Sequence, residues 1–122
     1  DAIDVAARGL ADLGAVVDEV ALPPLDAFLT VNRIVMFAEA FAVHGEWLRN
    51  RPEDYGELGR QRLMVGAFLT AEDYLQAQRR RRELFASVES ALERFDMLLV
   101  ANMFAPPCRL DDPEELVKTG QR

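Results

Sequence analysis

The chain has 122 residues, 50% of them hydrophobic and 29% charged, and its 14 Lys and Arg against 21 Asp and Glu give a net charge of -7. A field of that sign repels phosphate backbones and anionic lipid surfaces, so nucleic acid is not an expected partner. No uninterrupted apolar run approaches the roughly 20 residues that a bilayer-spanning helix needs, and no membrane span is expected.

In chain order, Ile3, Ala6, Ala7, Leu10 and Leu13 recur at helical spacing over residues 2–13, with Gly14 behind them as a left-handed stop. Residues 15–20, Ala-Val-Val-Asp-Glu-Val, are rich in β-branched side chains and are closed by Pro23-Pro24, which predicts a strand. From Leu25 to about Arg49 there is no proline and no glycine before Gly45, and the apolar cover is too wide for one narrow stripe. That pattern predicts a long helix buried on more than one side. Turn chemistry follows at Arg51-Pro52-Glu53-Asp54-Tyr55-Gly56, then a shorter helix over residues 58–65 that Gly66 is expected to end.

Thr70-Ala71-Glu72-Asp73 places a hydroxyl before a helix and a carboxylate three residues on, a capping box that opens a helix running to about Arg94. The continuously apolar run over residues 97–101 reads as a strand covered on both faces. Ala105-Pro106-Pro107-Cys108 is loop, and Asp112-Pro113-Glu114-Glu115 starts a short helix to Lys118. The order is α-β-α-α-α-β-short α. A strand, a helical crossover and a second strand predict an α/β chain with the two strands parallel in one sheet. Two strands alone leave unpaired edges, so the chain is read as a single unit cut from a larger sheet sandwiched by helices, with residues 1–102 its α/β piece and residues 103–122 loop and short helix. A chain so cut exposes apolar area and strand edges, and self-association is expected.

The polar inventory is sparse: one His (His44), one Cys (Cys108), one Lys (Lys118) and two Ser (Ser87, Ser90). Neither a four-ligand zinc site nor a disulfide can form within it, no metal or cofactor is expected, and a lone Cys suits a reducing, cytoplasmic setting. Ser87 and Ser90 lie inside the 71–94 helix, where hydroxyls bond back to the preceding turn. His44 reads as a packed residue at the edge of the core. The four arginines at 79–82 fan around a helix at about 100° per residue, which is a solvated face and not a nucleic-acid patch. Arg81 differs, because it falls seven residues after Tyr74 and seven before Val88. A guanidinium buried on that stripe needs a carboxylate, and Glu39 or Asp96 is the expected partner. The acids at 111–115 lack the spacing of a cation loop, and Cys108, after two prolines, reads as a loop thiol.

The ordered segments LGAVVDEVALP, YGELGRQRLMVG, LTAEDYLQAQRRRREL and FDMLLVANMFAPP resemble the C-terminal third of amidase signature enzymes. The correspondence spans nearly all of residues 1–109. It departs where the family's strand continues into Pro-Thr, since Ala101-Asn102 stands there instead. The resemblance implies hydrolysis of a small-molecule carboxamide to a carboxylate and ammonia by a Ser-Ser-Lys set in a Gly/Ser-rich signature. No such signature is present, so the resemblance places the catalytic half before Asp1 and the closing strands after Arg122, leaving this chain without activity of its own. It would supply helical cover and part of a substrate-pocket wall. In members that use glutamine as an ammonia source, an Arg of the Tyr-Gly region meets the substrate carboxylate; Arg62 is the nearer match and Arg60 the second. The competing reading is a non-catalytic helical module that binds a partner through its apolar faces.

Overall fold

A computed structural model describes residues 2–101, and their contacts group them into two compact units. The smaller unit takes its described residues from 2–18 and 97–101. Helix α1 (Ala2–Asp12) presents Ile3, Ala7 and Leu10 as its half-buried stripe. It ends as its sequence predicts: Gly14 turns left-handed at φ 97°, its N–H donates to the Ala11 carbonyl, and the Ala15 N–H reaches back to the Leu10 carbonyl. Those two bonds satisfy carbonyls that the last turn would otherwise leave open.

The predicted strands are not there. Residues 15–20 and 97–101 carry no regular secondary structure, and no strand occurs among the described residues, so the α/β assignment and its parallel sheet are overturned. β-branched composition gives a segment a preference for a pleated, half-buried surface, but a strand exists only as one side of a hydrogen-bonded ladder. Neither segment has a ladder partner here, and Val16 is 95% exposed. The described chain is helical. The short helix expected over residues 113–118, with Cys108 and Lys118, lies outside the described residues.

The larger unit, residues 19–96, is built around one long helix. Helix α2 (Leu25–Asn50) starts after Pro24, whose carbonyl accepts from the Ala27 N–H. Against it pack α3 (Glu57–Met64), the 3-10 turn Val65–Phe68 and α4 (Ala71–Leu92), with the short 3-10 turn Pro52–Asp54 near its end. By length and composition alone α2 is apolar enough to cross a membrane, which corrects the expectation that no segment is. Its charges are spaced widely along 26 residues, and a search for uninterrupted apolar runs misses that. Its breadth of apolar cover has a use in the fold, since four other elements meet its surface. Several of its large side chains nevertheless stay exposed, including Met36, Val43 and Trp47, so it is less enclosed than its sequence predicts.

Gly66 does not stop the preceding helix. The chain passes through it from α3 into the 3-10 turn, and the residue is buried against α2. A Cβ built there would collide with the Phe37 carbonyl oxygen and the Phe41 Cβ. The Phe41 ring in turn lies over Gly45, one turn along α2, where a Cβ would come within 3.2 Å of it. The two glycines therefore make room for one aromatic side chain between α2 and the Val65–Phe68 turn.

The opening of α4 follows its sequence closely. Asp73 N–H donates to Thr70 Oγ1 (3.1 Å), while Asp73 Oδ2 accepts from the Thr70 N–H (2.9 Å) and hydroxyl (2.6 Å). The Thr70 hydroxyl, then the Thr70 N–H, hold the Asp73 carboxyl below the usual carboxylate range. A lowered native pKa means that the carboxylate favours the folded state above the ordinary Asp value and that this contribution is lost as pH falls through the native pKa. We expect an NMR titration of the Asp73 carboxyl to show a midpoint below that of a model peptide, and Thr70→Ala to raise it back; an unchanged midpoint in Thr70→Ala would assign the shift elsewhere.

Candidate functional site

The buried line of α4 is Ala77, Leu84 and Ala91, each seven residues from the next, and it faces α2. Tyr74, Arg81 and Val88 form a parallel line about 60° around the helix. That offset puts them beside the helix contact and not in its centre. Here α2 and α4 diverge into an open groove of about 740 Å³. Its walls are mainly apolar, with Phe28, Val31 and Val35 of α2 facing Leu84, Phe85 and Val88 of α4; Asn32, Glu39, His44 and Arg81 are its polar members.

The offset decides the fate of Arg81. It is exposed where the stripe reading expected burial, and among the described residues it makes no ion pair. It is exposed and lines the groove, and a long cationic side chain at an apolar edge can cover apolar surface with its stem while its charge stays in water. Glu39 lines the same groove, but its Oε1 accepts from the Tyr74 hydroxyl at 2.9 Å, and Gln78 Nε2 donates to that hydroxyl at 2.8 Å. Asp96 is exposed after the end of α4. The expected pairing of Arg81 with Glu39 or Asp96 is therefore absent among the described residues, and α2 and α4 are tied instead by the Tyr74 hydroxyl on Glu39.

Sequence reading missed this relay because Tyr74 and Glu39 are 35 residues apart. The available signals were an acid inside an otherwise apolar stretch of α2 and the i, i+4 spacing of Tyr74 and Gln78. His44 is half-buried as expected, with Nδ1 3.0 Å from the Tyr55 hydroxyl and its ring 5.7 Å from that of Trp47. This pair fastens the last third of α2 to the turn that precedes α3. The Ser87 hydroxyl donates to the Glu83 carbonyl at 3.0 Å, the back-bond its position predicts, and Ser90 is exposed on the same helix. No group of three His, Cys, Asp or Glu among the described residues is arranged to hold a metal. Arg60 is half-buried and Arg62 exposed, both on α3, so neither belongs to the groove between α2 and α4.

Comparison with known proteins bears on this frame. The Amidase family profile matches residues 1–121. The chain belongs to the amidase family. An amidase of Pseudomonas putida is 36% identical over 108 residues, covering 88% of this chain and 23% of that protein. The chain thus spans about a quarter of the length of this relative. No solved structure matches. Several of the residues through which the chain resembles amidases have architectural contacts in the structure. Tyr55 bonds His44, Gly66 admits the close approach to α2, Thr70 and Asp73 cap α4, Tyr74 holds Glu39, and Ala77 is buried at the α2–α4 contact. The shared text specifies a helical frame.

Proposed function

We propose that this chain is a structural part of a cytoplasmic amidase that hydrolyses a small-molecule carboxamide, adding water across the C–N bond to give a carboxylate and ammonia. The family match over residues 1–121 carries the reading. In this reading the Ser-Ser-Lys set lies elsewhere in the parent polypeptide. The chain's own inventory agrees, because a Ser nucleophile needs a base within hydrogen-bond reach and preorganised oxyanion donors, and both serines lie on the regular helix α4. The helices of residues 25–92 act as cover and as a wall beside the substrate pocket. Arg62, with Arg60 second, is the chain's candidate for meeting a substrate carboxylate in the parent.

The test compares two proteins. The product of the complete reading frame is expected to release ammonia from members of a panel of aryl and aliphatic amides, and the purified 122-residue chain to release none. Ammonia release by the short chain alone, or none from the complete product across the panel, would sink the reading. The short chain is also expected to self-associate, since Phe68, Leu75 and Phe85 leave large apolar areas in water. A monomer mass by light scattering at high concentration would contradict that.

A further inference from the structure

We draw no further inference here: the strongest candidate, the open apolar groove between α2 and α4 that Phe28, Val35, Phe85 and Arg81 help to line, carries nothing, because nothing in the structure shows what covers it.

Discussion

Replacing Gly66 by alanine is expected to lower stability by about 3 kcal/mol, at the upper end of ordinary overpacking, while the same change at Gly59 raises it by roughly 0.5–1 kcal/mol. The chemical change is identical and the surroundings differ. At Gly66 the new methyl would occupy space held by the Phe37 carbonyl oxygen and the Phe41 Cβ, and the carbonyl belongs to the backbone of α2, which cannot swing aside as a side chain can. The Val65–Phe68 turn must then retreat from α2 and lose its packing there. At Gly59, inside α3, nothing lies within 4 Å of the added methyl, so the substitution removes only the conformational freedom that a helical glycine gives to the unfolded chain. In a domain of this size each kcal/mol moves the melting temperature by about 4–8 °C, so thermal unfolding separates the two variants in opposite directions. Shifts of the same sign would mean that Gly66 does not admit a close approach.

The same glycine marks where sequence reading ran out. A glycine behind a helical stretch serves either as a left-handed stop or as a place for another backbone to come near, and nothing in the neighbouring residues tells these uses apart. Gly14 is the first kind and was legible, as was the Thr70–Asp73 capping box, because both are closed by hydrogen bonds within five residues. The strands expected at residues 15–20 and 97–101 depend on pairing with distant segments, and their valines and leucines carry no information on whether a partner is present. Arg81 was placed on the correct stretch of helix but on the wrong line. The stripe through Tyr74, Arg81 and Val88 flanks the apolar face, yet burial centres on Ala77, Leu84 and Ala91, and periodicity alone does not say which line of a broad apolar face lies at the centre of the contact. Family resemblance reached further than periodicity, since the resembling positions include Tyr55 and Tyr74, which make the hydrogen bonds that fasten α2 to its neighbours.

The α2–α4 contact supplies the second large effect. Leu84 is 3% exposed, the most buried large side chain of this contact, whereas its chain neighbour Phe85 points along the open groove. Leu84→Ala removes three buried carbons, a change that costs about 2–5 kcal/mol in well-packed cores. Because one side of Leu84 borders the groove, water and neighbouring side chains can fill part of the space left behind, so a loss of about 2–3 kcal/mol is expected. Phe85→Ala removes more carbon atoms but takes them from water, and its expected cost in the isolated chain is below about 1 kcal/mol, typical of exposed substitutions. Urea unfolding of the two variants with unchanged slope measures the difference directly. Equal losses for Leu84→Ala and Phe85→Ala in the isolated chain would show that α4 meets α2 through a different face from the line of Ala77, Leu84 and Ala91.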